Sequence, residues 1–420
     1  MKRGYKQTEV GVIPEEWQVL SLSEITEPQR PISYGIVQTG PKITNGVRCL
    51  RVLDIEEGRI NQTNLITTSR QISDAYRRTI LKAGDLVTPL RGKVGDVGQV
   101  DEELEGANLT RGVALIAIRS GWSPEFCKQI ISSSATRKRL EQALNGSALQ
   151  EIPIASLRSF KIPTPKSLAE QRAIATALSD VDALLGTLDR LIAKKRDLKQ
   201  AAMQQLLTGQ IRLPGFRGEW ETKRIGEFTD CTAGGTPSTL VASYWGGSIR
   251  WMSSGELNLK RVEEVEGRIT EAGLHNSSTK IIPKKCVLVG LAGQGKTRGT
   301  VAMNFVELCT NQSIAAIFPS PAFVPEYLYF NLDSRYDELR ELSAGDGGRG
   351  GLNLKIIKAI PVPFPSIGEQ TAIAEALSEM DAELAGLEQR RDKTSAIKQG
   401  MMQELLTGRT RLISPEEAYA

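Results

Sequence analysis

The sequence predicts an α+β protein with an internal pseudo-twofold repeat: two tandem α/β domains, each followed by one strand of a long antiparallel two-helix coiled coil. Three observations support this: a repeat with a constant offset, two proline-free stretches with heptad periodicity, and short apolar runs bounded by glycine and polar residues. The repeat is clearest in its last third. Glu170-Gln171, Ala173-Ile174-Ala175, Ala177-Leu178-Ser179, Asp182-Ala183, Leu206-Leu207-Thr208-Gly209 and Arg212-Leu213 recur 199 residues later as Glu369-Gln370 through Arg411-Leu412. Upstream, Glu16-Trp17 answers Glu219-Trp220, Ser123-Pro124-Glu125 answers Val324-Pro325-Glu326, and Ile162-Pro163-Thr164-Pro165 answers Ile360-Pro361-Val362-Pro363. A period this long marks a duplicated domain rather than a solenoid. Residues 29–110 and 233–312 share only a pattern, so one scaffold carries two divergent surfaces.

The chain of 420 residues divides on this reading into a first domain at 1–165, a helix at 166–210, a second domain at 211–365, a helix at 366–412 and a tail at 413–420. The first helix is expected from Ala169 to Thr208, capped by Ser167 and stopped by Gly209. Ile174, Val181, Leu188, Lys195 and Ala202 form one seam. Ala177, Leu184, Leu191 and Leu198 are expected to form the second, with Leu178, Leu185 and Ile192 beside it. The second copy reads Ile373, Met380, Leu387, Thr394 and Met401, with Leu377 and Leu384 alongside. This is coiled-coil periodicity, widened in the first copy to a stripe with room for more than one neighbour. About 40 residues at 1.5 Å each give a rod of roughly 60 Å, marginal in isolation. Its repeat is the nearest cover, and antiparallel pairing would place the two domains at opposite ends.

In the domains, Asp85–Val87, Ala114–Ile118, Val287–Val289 and Ile314–Phe318 read as strands. Pro124 and Pro325 each open a short helix. Loops rich in Gly, Asn, Ser and Arg offer backbone and basic side chains to phosphates and base edges. Gly290–Thr297 fits the phosphate-loop pattern G-x-x-x-x-G-K-[ST], but Arg298-Gly299-Thr300-Val301 after it suits a strand, whereas a phosphate loop opens a helix. Gln294, Lys296 and Arg298 therefore read better as a polar loop facing a phosphate backbone.

Other chemistry is sparse. Lys+Arg 53 against Asp+Glu 49 leaves +4, no argument by itself for a nucleic-acid partner. Five scattered cysteines without Cys-x-x-Cys argue against a disulfide framework or a structural zinc site, and one histidine, His275, against histidine catalysis or metal ligation. There is no Pro-Pro, hence no Asn/Asp-Pro-Pro-aromatic methyltransferase signature, and no Pro-Asp of the common nuclease kind. No apolar run reaches membrane-spanning length, and Met1–Lys6 leads into none. The expectation is a cytoplasmic, non-catalytic binding protein.

The opening Gly11-Val12-Ile13-Pro14-Glu15-Glu16-Trp17, its degenerate copy at Gly215–Trp220, the Ile-Pro-x-Pro…Glu-Gln joints and the Leu-Leu-Thr-Gly-x-x-Arg-Leu helix ends together resemble the specificity subunit of Type I restriction–modification systems. Gly218, where the first opening has Pro14, and the phosphate-loop-like segment depart from the pattern. The resemblance implies two target recognition domains, each reading half of a split, asymmetric site in double-stranded DNA, with the helices setting the gap. It implies docking of two methyltransferase subunits that bind S-adenosylmethionine and flip and methylate an adenine, and of restriction subunits using ATP and Mg. It implies no cofactor, metal or catalytic residue in this chain. The candidate DNA contacts are Arg91, Lys93 and Arg111 in the first half and Gln294, Lys296, Arg298 and Arg349 in the second. The candidate coiled-coil and partner positions are Ile174, Val181, Leu188, Leu198, Ile373, Met380 and Leu387. Two other readings stay open: an NTP-binding enzyme using Gly290–Thr297, and a protein–protein scaffold without a DNA role.

Overall fold

The computed structural model describes residues 4–144, 150–293, 297–342 and 351–413. Two compact units are present. One comprises Met1–Leu188 with Arg390–Ala420, the other Asp189–Gln389. Each unit therefore takes a globular part and half of each long helix, a division that interleaves the segments expected from the sequence.

The helices are α1, Leu168–Leu206, and α2, Ile367–Leu405. Both start alike: the Ser167 and Ser366 hydroxyls accept from the N–H groups of Glu170 and Glu369. Both end on a glycine with left-handed backbone, Gly209 (φ 74°) and Gly408 (φ 69°). In the first unit Asp182 pairs with Lys398 at 2.6 Å and Glu170 with Arg411. In the second Lys199 pairs with Asp381, Lys195 with Glu383 and Arg212 with Glu369. Rising numbers on α1 meet falling numbers on α2 in both units, so the paired segments are antiparallel.

The inward positions of α1 correct the expected seam. Ile174, Leu178, Leu188 and Ile192 are buried and Val181 and Leu185 half-buried, a 4-3 spacing, while Leu184, Leu191 and Leu198 are 40%, 37% and 46% exposed. A single neighbouring helix covers only two positions in seven; Ala177 still packs on the first unit's core, but from Leu184 onward that column has rotated out of reach. On α2, Ile373, Leu377 and Leu384 are buried and Met380 and Leu387 half-buried. Where Lys195, Lys199 and Lys398 interrupt the apolar seams, the acidic partners named above answer them.

In the first unit a four-stranded sheet has the order Gly98–Gln99, Leu86–Pro89, Val113–Ile116, Ser33–Tyr34, all antiparallel. Beside it, Val47–Leu50 pairs in parallel with Asn108–Leu109 and antiparallel with Ile66–Thr68. The second unit repeats the plan. Cys231–Ala233, Ile314–Ile317, Val287–Gly290, Val301–Asn304 and Arg261–Val262 form one sheet, and Trp245–Met252 pairs in parallel with Leu308–Thr310. The central strands read as unbroken apolar runs because both faces are covered. Leu86, Ala114 and Ile116 face a cluster with Phe126, Ile130, Trp17, Ile174 and Leu178, while Val87, Val113 and Leu115 face Leu50, Leu104 and Leu109. Pro124–Ser132 and Pro325–Asp333 are helices with proline in the first turn, as expected.

Candidate nucleic-acid interface

The Glu-Gln motif that opens each long helix does two jobs. The fully buried amide of Gln171 accepts from Ser123 N–H (3.0 Å) and donates to Pro165 O (3.0 Å); Gln370 does the same with Val324 (2.9 Å) and Pro365 (2.9 Å). This ties the long helix to the entry of the short proline-capped helix in each unit. The glutamates take the arginine of the helix-end motif. Glu170, 2% exposed, receives Arg411, which also reaches Glu16 at 3.0 Å; Glu369 receives Arg212 at 2.5 and 2.6 Å and the Trp220 indole N–H at 3.0 Å. Bonding to Glu369 raises the Arg212 pKa. For Arg411 burial works the other way, but Glu170 and Glu16 outweigh it. Trp17 and Trp220 lie against Gly408 and Gly209, where a Cβ would meet the ring at 3.2 and 3.3 Å. The twin motifs are thus a scaffold lock, built twice.

At one end of the sheets in the first unit, the lock's uniformity gives way to loops that differ between the two halves. Arg91 follows the Leu86–Pro89 strand and Arg111 precedes Val113–Ile116. Leu90 N–H donates to Gly112 O (2.8 Å) and Arg111 N–H to Ile36 O (2.8 Å), and the Arg91 guanidinium arm lies against Gly112. Both arginines are exposed, so the structure brings these two candidates together on one edge, where a guanidinium fork can meet guanine or phosphate. The Lys93 ammonium is 2.6 Å from Glu56 and so is already paired.

In the second unit, the described ends of the Gly290–Thr297 segment join the antiparallel strands Val287–Gly290 and Val301–Asn304: Gly290 N–H donates to Thr300 O and Gly299 N–H to Gly290 O. A strand comes after it where a phosphate loop needs a helix N-terminus. Arg298 lies between these strands; Gln294, Lys296 and Arg349 lie outside the described residues. Strand register adds one residue that the sequence pattern does not single out. Val113–Ile116 corresponds to Ile314–Ile317, so Gln312 occupies the place of Arg111, accepting a bond from Thr236 Oγ1 at 2.6 Å. The offset of about 200 residues was the signal that could have found it.

All five cysteines are buried and unpaired. Burial pushes the thiols of Cys127 and Cys286 up to about 12 and that of Cys49 up to about 11, far from a reactive thiolate. Among the described residues, no helix is long and apolar enough to cross a membrane.

A sequence model of the Type I restriction modification DNA specificity domain matches residues 14–194 and again 217–396. The putative type I restriction enzyme MjaX specificity subunit of Methanocaldococcus jannaschii is 24% identical over 98% of this chain and 97% of its own length. The EcoBI specificity subunit of Escherichia coli is 28% identical over 53% of this chain, and that match spans 46% of the E. coli protein. In fold, the crystal structure of the S subunit from M. genitalium superposes with a TM-score of 0.60 at 16% identity, covering 93% of this chain and 96% of that one. With one domain model matching twice and covering most of its length, the chain belongs to the Type I restriction–modification DNA specificity family.

Proposed function

We propose that the chain is the non-catalytic specificity subunit of a Type I restriction–modification complex, acting on double-stranded DNA in the cytoplasm. Each globular part reads one half of a split, asymmetric site, and the helix pair fixes the unread gap. One observation carries this reading: the frame is duplicated down to individual ion pairs, Arg411–Glu170 with Arg212–Glu369 and Lys398–Asp182 with Lys199–Asp381, while the loops on that frame differ. A repeated frame under unlike loops suits two readers of different sequences. In the first half Arg91 and Arg111 are the readers; in the second, Arg298 and Gln312, with Gln294, Lys296 and Arg349.

Two methyltransferase subunits dock on the helices. Leu191 and Leu198, one heptad apart and exposed, supply an apolar column for such a partner in the second unit. Those subunits bring S-adenosylmethionine and flip the target adenine; restriction subunits bring ATP and Mg. This chain supplies position and sequence choice.

The test is domain exchange. Residues 1–160 are replaced by the corresponding segment of a relative, and the methylated sites of host DNA are sequenced. One half of the site changes and the other stays; a change in both halves contradicts the assignment.

A further inference from the structure

The second unit carries an uncharged finger beside its proposed DNA-facing edge. Gly234–Trp245 leaves the sheet directly after the Cys231–Ala233 strand. No charged residue occurs between Asp230 and Arg250, so the loop approaches a polyanion without repulsion or ionic capture. Its root is tightly held. Gly234 N–H donates to Ile314 O (3.3 Å) and Gly235 N–H to Thr310 O (2.8 Å). Two tryptophans brace the finger above this root: Trp251 Nε1 donates to Gly235 O (2.9 Å), Trp245 Nε1 to Ser238 O (3.1 Å), and their rings pack edge-to-face at 5.1 Å. Beyond the brace the chain turns through Ser238–Tyr244, with Val241 N–H on Ser238 O and Tyr244 N–H on Val241 O. Near the tip stands Leu240, 95% exposed.

A leucine held almost fully in water gains little from folding, and the two indoles brace the loop below it at Gly235 and Ser238. The loop also borders Gln312 through the Thr236 bond, on the edge proposed to face DNA. The first unit has a loop with the same root. Gly35 N–H donates to Val113 O, and a Cβ on Gly35 would meet Leu109 O at 2.0 Å, as one on Gly234 would meet Thr310 O at 2.0 Å. Its tip residues are different. A shared root with unlike tips is what a sequence-reading element requires.

We propose that Leu240 is a specificity-determining residue of the second half-site, making van der Waals contact with the C5-methyl group of a thymine. This rests on the DNA-reading function proposed above. An aliphatic side chain is the natural complement of that methyl group, which cytosine and uracil lack.

The experiment selects duplexes from a randomised pool with the full chain and its methyltransferase, using wild type and Leu240→Ala. One pool contains thymine and the other uracil throughout. The wild type should prefer T at one position of one half-site by about four-fold, the effect of one methyl group, and lose that preference in the uracil pool. Leu240→Ala should lack it in both pools while every other position of the same half-site is read normally, which also shows that the second unit is folded in the variant. Two results overturn the proposal alone: a Leu240→Ala preference identical to wild type, or an unchanged site with loss of methyltransferase association, which would assign the finger to a protein. A wild type that selects no site from either pool overturns the DNA-reading function together with it.

Discussion

Removing the Arg411 guanidinium should destabilise the first unit more than removing its partner. Glu170 is 2% exposed, and Arg411 is its charged partner through a two-pronged contact. Breaking a buried pair from one side costs about 3–5 kcal/mol, and since Arg411 is itself about one-fifth exposed, Arg411→Ala should fall near the low end, about 3 kcal/mol. In Glu170→Ala, Arg411 keeps Glu16 at 3.0 Å and some contact with water, so the cost should be about 1–2 kcal/mol. Replacing both by methionine removes both charges and should cost less than Arg411→Ala alone. Urea unfolding followed by tryptophan fluorescence gives the three values; hydrogen exchange over residues 5–17 and 406–412 shows that the loss is local. An Arg411→Ala cost below about 1 kcal/mol, or a double variant that costs the sum of the singles, would refute the reasoning.

Two further outcomes are expected. Arg91→Ala and Arg111→Ala should each weaken specific binding by about 1–3 kcal/mol and relax one base position if they read bases; competition binding at fixed salt measures this, and unchanged affinity removes that residue from the interface. Leu191→Asp and Leu198→Asp, on exposed positions, should change stability by no more than about 0.5 kcal/mol yet reduce co-purification of the methyltransferase, and full assembly would exclude that column as its dock.

The frame was legible because its signals are local and periodic. Heptad spacing located the starts of α1 and α2 to within two residues, though α2 ends at Leu405, seven residues before the expected 412; unbroken apolar runs marked the doubly covered strands, and the residues after Gly290–Thr297 announced a strand. The second seam was misplaced because Leu184, Leu191 and Leu198 and Leu178, Leu185 and Ile192 are chemically alike, and only the partner helix shows which column faces it. Lys199 looks like a flaw in the seam until Asp381, distant in sequence, comes to meet it. The proposed reading edge was the least legible. Arg111 and Gln312 are different residue types, one charged and one neutral, and their equivalence emerges from strand register. Leu240 reads as one more apolar residue in Thr-Leu-Val-Ala until its exposure is known.

The proposed spacer role is tested most directly by shortening the helices in matching register, deleting residues 184–190 and 390–396 together so that the flanking ion pairs keep their partners. Seven residues correspond to about 10.5 Å of helix, or about three base pairs of duplex at 3.4 Å each. The methylated site, read by sequencing, should shift to a gap shorter by about that amount, or specific binding should be lost while the helix pair still folds. Recognition of the original site at full affinity would contradict the spacer role.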